Sequence, residues 1–144
     1  MASVFDVARY ILHAKGRMSA WKLQKLCYYA QAWSLAWTEA PLFDEDFEAW
    51  SNGPVCRALF NEYRGAFMVS EGDIPRGDAA DLTADERDTV DVIIRDYGDM
   101  PPFELRELSH NEAPWRDARN GLPDGASSHT LIDKTTMGSY YGGL

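Results

Sequence analysis

The sequence predicts a mostly α fold, a single compact helical domain over residues 1–144 with a small short-strand element that makes it α+β only at the margin. Three observations predict this. Apolar residues recur at helical spacing in several segments. Capping residues and Gly or Pro stops bracket those segments. Only short stretches alternate as strands do. No internal repeat is visible. A chain of 144 residues can close a real core, and 45% hydrophobic with 26% charged residues is ordinary globular composition.

Val4, Val7, Ala8, Ile11 and Leu12, with Phe5 alongside, predict an amphipathic helix over 3–14, and Gly16 is its natural stop. Ser19 is a good N-cap for a second helix. Leu23, Leu26, Cys27, Ala30, Trp33 and Trp37 form one stripe of it, yet Tyr28, Tyr29 and Leu35 put apolar matter on the other faces too. A helix apolar around most of its circumference is central and packed on several sides. Pro41 closes it.

Loose alternation predicts a short strand at 46–51. Gly53 turns the chain, and Pro54 suits the first turn of a third helix running to about Arg64. Residues 65–82, rich in Gly, Asp and Ala, predict a loop with room for a short strand near Met68–Val69. Thr83 and Glu86 form a capping box for a helix with Val90, Ile93, Ile94 and Tyr97 on its apolar face, ended by Gly98. Pro101-Pro102 leads into a short helix, Phe103 to Ser109. Another turn runs from Pro114 to Gly121, with Ser109 or Asn111 as its cap, and Thr130 to Tyr141 predicts a last, weaker helix.

Charge and composition narrow the function. No run approaches the ~20 apolar residues of a membrane span. Met1-Ala2-Ser3-Val4-Phe5-Asp6 lacks the basic-then-apolar layout of a signal peptide, so a cytoplasmic location is expected. A net charge of −9 argues against nucleic acid as a general partner. The charge is uneven: residues 1–39 carry five Lys/Arg (Arg9, Lys15, Arg17, Lys22, Lys25) against Asp6 and Glu39, leaving −12 on the other 105 residues. A basic N-terminal face beside an acidic body suits charged protein partners, and equally suits plain solvated surface.

Catalytic readings find little support. Cys27 and Cys56 are too few for a disulfide scaffold, and no motif beside either supports a nucleophile with His110 and Glu112. His13, His110 and His129 lie far apart and none begins a metal-ligand spacing, so no metal and no cofactor are expected. Two helices around Ile11 to Ser19 resemble a helix-turn-helix, but the second has too many aromatics and too few basic residues for a recognition helix. Ser109-His110-Asn111-Glu112 before Pro114-Trp115 fits a structural junction, with His110 bonding backbone groups and Trp115 anchoring the turn. A partner-contacting surface is the other reading. Among the surplus aromatics, Trp21, Tyr28 and Trp37 are the ones that pattern alone does not place inside.

Three blocks taken together carry a resemblance. They are Lys22-Leu23-Gln24-Lys25-Leu26 with Tyr28-Tyr29-Ala30-Gln31; Leu42-Phe43 and Glu48-Ala49-Trp50 leading to Asn52-Gly53-Pro54-Val55, with Leu59, Tyr63 and Gly65 following; and Leu108-Ser109-His110 with Glu112, Pro114-Trp115 and Ala118-Arg119. The chain resembles the Panacea domain of SocA-like antitoxins, once described as a phage-associated protein family, over roughly residues 4–140. Cys27 and Trp21 stand where that family usually has aliphatic residues.

The resemblance implies a mostly helical, non-enzymatic antitoxin of a toxin-antitoxin system that neutralises a toxin, commonly encoded by the adjacent gene, through protein-protein binding. A proteolytic adaptor delivering a bound protein to a Clp-type protease is the alternative, and an enzyme that reverses toxin damage is a third. Candidate partner contacts are Lys22, Lys25, Tyr28, Trp37, Trp50, Asn52 and His110. Leu23, Gln24, Leu26, Tyr29, Gly53, Pro54, Ser109, Pro114 and Trp115 are expected to serve the fold, and the loop over 66–82 is expected to set partner choice.

Overall fold

The computed structural model describes residues 1–144. Seven helices follow in order: α1 (Val4–Lys15), α2 (Ala20–Thr38), α3 (Arg57–Tyr63), α4 (Ala84–Tyr97), α5 (Pro102–His110), α6 (Ala113–Ala118) and α7 (Lys134–Gly142). With two 3-10 turns they hold 57% of the residues, against two sheets of two strands each, so the fold is mostly α.

The caps explain where helices begin. Ser3 and Asp6 form a capping box on α1, and Gly16, at φ +82, gives its N–H to the Leu12 carbonyl at the other end. The Ser19 hydroxyl accepts from Lys22 N at 3.2 Å, as its position predicts. Thr83 and Glu86 exchange the two bonds of the second box.

Helix α2 is the axis. Twelve of its nineteen residues are buried, including Leu23, Leu26, Cys27, Tyr28, Tyr29 and Ala30 at 0% exposure. It packs against α1, α4, α5 and α7, as an all-round apolar helix must. One core cluster runs from Ala2 to Tyr141.

Two glutamines on α2 fasten chain segments to this axis. Gln24 donates to the Cys56 carbonyl and to the Tyr63 hydroxyl, and accepts from Cys56 N at 2.8 Å. Gln31, two turns on, donates to the Phe43 carbonyl and accepts from Leu42 N, both at 2.7 Å. A buried amide with all its bonds made is stable where an unpaired one is costly.

Three expectations need correction. Pro54 does not open a helix. Strand β2 (Glu48–Trp50) pairs antiparallel with strand β3 (Gly53–Val55), and Pro54 lies opposite Ala49 on the outer strand of this hairpin. Proline is tolerated there because β3 is an edge strand, whose outward face has no ladder bond for the missing N–H to make. Second, α7 starts at Lys134, not Thr130. Residues 130–132 instead bond the edge of β2, with Ala49 N donating to the Thr130 carbonyl and Ile132 N to the Phe47 carbonyl, and Asp133 caps the helix.

Third, neither Ser109 nor Asn111 caps α6. The Ser109 hydroxyl donates to the Arg106 carbonyl and the Asn111 amide to the Glu107 carbonyl, both closing the end of α5. The short strand expected near Met68–Val69 is present; it pairs with Met18–Ser19 just before α2, which ties the loop to the N-terminal region.

Candidate partner-binding site

The predicted contact residues fall in four places. Trp50 and Asn52, both half-buried, line a cavity of about 200 Å³ at the N-terminal end of α2. Lys25 also lines it from below. Trp37 is 51% exposed and rests on Trp33, with ring centres 5.3 Å apart. It sits near the far end of α2, about 24 Å from Trp21 at the helical rise. Lys22, half-buried, shares its surroundings with Lys15 and Asp99, and burial followed by Lys15 holds its ammonium below the usual lysine range. Tyr28 and His110 are inside.

Tyr28 is fully buried, so it does not present a surface to a partner. Its ring meets Tyr29, Phe47 and Tyr141 edge-on. The Tyr141 hydroxyl donates to Glu112 Oε1 at 2.8 Å, and the Tyr29 hydroxyl donates to the same oxygen at 2.6 Å. Tyr28 and Tyr141 hydroxyls are 3.1 Å apart; because Tyr141 gives its proton to Glu112, Tyr28 is the donor. Burial raises the Glu112 carboxyl above the usual range, and the two tyrosine bonds oppose that rise.

His110 is 7% exposed and stacks on Trp115, with ring centres 3.8 Å apart and 15° between planes. Its Nε2 is buried without a hydrogen-bond partner, so the expected bond from that nitrogen to junction backbone is not made. Burial, with Arg106 adding to it, pushes the imidazole down to about 4. Trp115 does anchor the junction: its indole N–H donates to the Trp50 carbonyl at 2.8 Å, and Arg119 lies 4.7 Å over its ring.

The basic N-terminal face is largely used within the molecule. Arg9 donates to the carbonyls of Glu71 and Ile74, each at 2.9 Å, and Lys15 meets Asp99 at 2.6 Å. Lys25 is buried, leaving Arg17 exposed and Lys22 half-buried.

The two thiols are poor nucleophiles here. Both are buried; burial raises Cys27 well above the usual thiol range and lifts Cys56 to about 11. A thiol that high is protonated at neutral pH, whereas attack needs the thiolate.

Pattern alone did not find the outer wall of the cavity. Phe67, 70% exposed, and Phe60 line it with Trp21, which is 49% exposed. A lone bulky aromatic in a Gly- and Ala-rich loop is the signal that marks Phe67.

Comparison with known families is decisive for kinship. The family described as "Antitoxin SocA-like, Panacea domain" matches residues 23–116, well over half of the chain. The protein belongs to the SocA-like Panacea family. Searches of curated proteins and of solved structures returned no match.

The matched stretch of this Panacea domain begins at Leu23 in α2 and ends at Arg116 in α6, narrower than the span of 4–140 expected from the motifs. It holds every cavity residue named above except Trp21. It also holds Lys25, Gly53 and Ser109, which crowd one point behind the hairpin. Helix α7 lies outside the match, yet its Tyr141 completes the cluster around Glu112. No helix of the Panacea protein is long and apolar enough to cross a membrane.

Proposed function

We propose that this protein is the antitoxin of a toxin-antitoxin pair and neutralises its toxin by direct, non-catalytic binding in the cytoplasm, the toxin being the product of the adjacent gene. The family match over residues 23–116 carries this reading. The exposed aromatic cavity at the start of α2 supports it, since buried aromatic anchors dominate protein interfaces. Trp50, Asn52 and Lys25 contribute to that face directly. His110 acts from behind by holding Trp115, and Tyr28 by holding the core beneath. The reading calls for no cofactor, metal or nucleic acid.

The test is growth of cells expressing the neighbouring open reading frame with and without this protein, alongside co-purification of the two. Rescue with a stable complex supports neutralisation by binding. Rescue in which toxin level falls, and falls only when a Clp-type protease is present, replaces it with the adaptor reading. Rescue at far below one-to-one stoichiometry indicates an enzyme. A neighbour that is harmless alone removes the antitoxin reading.

A further inference from the structure

The cavity at the start of α2 combines apolar walls with an uncompensated cation. Trp21, Trp50, Phe60 and Phe67 supply the walls. Lys25 is the one charged residue lining it. That lysine is 2% exposed, and its ammonium has a single hydrogen-bond acceptor, the Pro54 carbonyl at 3.3 Å, with no carboxylate in ion-pair reach. An ammonium has three donors, and burying one without a counter-charge is strongly unfavourable. Arg106 adds a second positive field to the same region, and burial together with that field pushes the Lys25 ammonium down to about 7. The region is therefore short of negative charge.

The volume selects the occupant. About 200 Å³ is below the range of pockets for drug-sized ligands and matches one bulky residue. An internal aspartate or glutamate would bring the carboxylate but leave the aromatic walls unfilled. A residue carrying both a large apolar side chain and a carboxylate occurs at the end of a chain. Capture of a C-terminal carboxylate is an established mode of peptide recognition. Resting on the antitoxin reading, we propose that this cavity receives the C-terminal residue of the partner toxin, its apolar side chain between Trp21 and Phe67 and its α-carboxylate at Lys25.

The probe is an acetylated pentapeptide of glycine and serine ending in phenylalanine, titrated into the full-length protein as the free acid, as the C-terminal amide, and with a glutamate placed internally in an amidated chain. The free acid is expected to bind, and the amide about tenfold more weakly, because a charge-assisted hydrogen bond is lost. Phe67→Ala, at an exposed wall position, is expected to weaken the acid without changing the melting temperature. Lys25→Gln should bring acid and amide to equal affinity, with melting curves confirming that the variant is folded. Equal binding of acid and amide by the native protein overturns the proposal. So does tighter binding of the internal glutamate, or no binding of any peptide at millimolar concentration.

A toxin trimmed of its last residues separates the two readings. If it is still bound and neutralised as well as the intact toxin, the cavity assignment fails and the antitoxin reading stands. If even the intact neighbour is not bound, the antitoxin reading fails, while the peptide titration still decides what the cavity takes.

Discussion

A β-carbon on residue 53 would lie 2.5 Å from Lys25 Cε and 3.2 Å from both Lys25 Nζ and Ser109 Oγ. The turn of the β2–β3 hairpin and the buried lysine are thus fitted to one another, and the backbone at Gly53, with φ +116, is one that side chains rarely adopt. Gly53→Ala is expected to cost about 2–4 kcal/mol from strain and crowding together. Urea unfolding checks this, with a lower midpoint at unchanged slope as the expected outcome.

Lys25 should leave a signature in the pH dependence of stability. Its pKa falls from the ordinary lysine value to about 7 in the folded state. Between pH 7 and about 10.4, the reference value for unfolded lysine, the unfolded chain binds the extra proton, so this group makes stability rise with pH. Below pH 7 both states are protonated and the full cost of burying the charge is present. Lys25→Met should therefore gain most over the native protein below pH 7, and lose that advantage by up to about 1.4 kcal/mol per pH unit as pH rises from 7 toward 8.5. Denaturant titrations of both proteins at a series of pH values measure the difference.

His110 works in the same direction at lower pH. Its folded pKa of about 4 lies below the ordinary imidazole value, so the unfolded state binds more protons between roughly pH 4 and pH 6.5. Arg106 and Lys25 face it and oppose its charging, while Asp124 and Glu107 partly offset them. Stability should fall on acidification through that window. His110→Phe, which keeps an aromatic ring against Trp115, should flatten the fall; thermal melts at pH 4.5 and pH 7 compare the two.

Glu112 ties α2 to α7 through Tyr29 and Tyr141. Glu112→Gln keeps an acceptor for the hydroxyls and removes a buried charge, so it should be near neutral or stabilising at pH 7. Glu112→Leu leaves two buried hydroxyls without their acceptor and should cost about 2–5 kcal/mol. Hydrogen exchange of the α7 amides should rise in the leucine variant before the rest of the chain responds.

The helical frame was legible because periodicity and caps are local. Ser19, the Thr83 and Glu86 pair, and Gly98 mark their helix ends as the sequence predicts. The central place of α2 followed from apolar residues on all of its faces. What was not legible depends on partners far away in the chain. Pro54 joins a hairpin because Trp50 turns back through Gly53, and Met18–Ser19 become a strand only because Met68–Val69 arrive beside them. Charge misled only about the exposure of Lys25, which lines the cavity but is buried where Gly53 approaches it. Hydroxyl and ring misled at Tyr28 and His110, which look like interface residues but satisfy or stack inside. Trp50 and Asn52 do line an open cavity, and its other wall, Phe67, comes from a loop whose placement no local pattern encodes.

The most direct measurement is calorimetric titration of the adjacent gene's product into the native protein, Phe67→Ala and Trp37→Ala. The account predicts one-to-one binding by the native protein, marked weakening by Phe67→Ala, and no change for Trp37→Ala at the far end of α2. No complex with the native protein, or weakening by Trp37→Ala with Phe67→Ala unaffected, would contradict it.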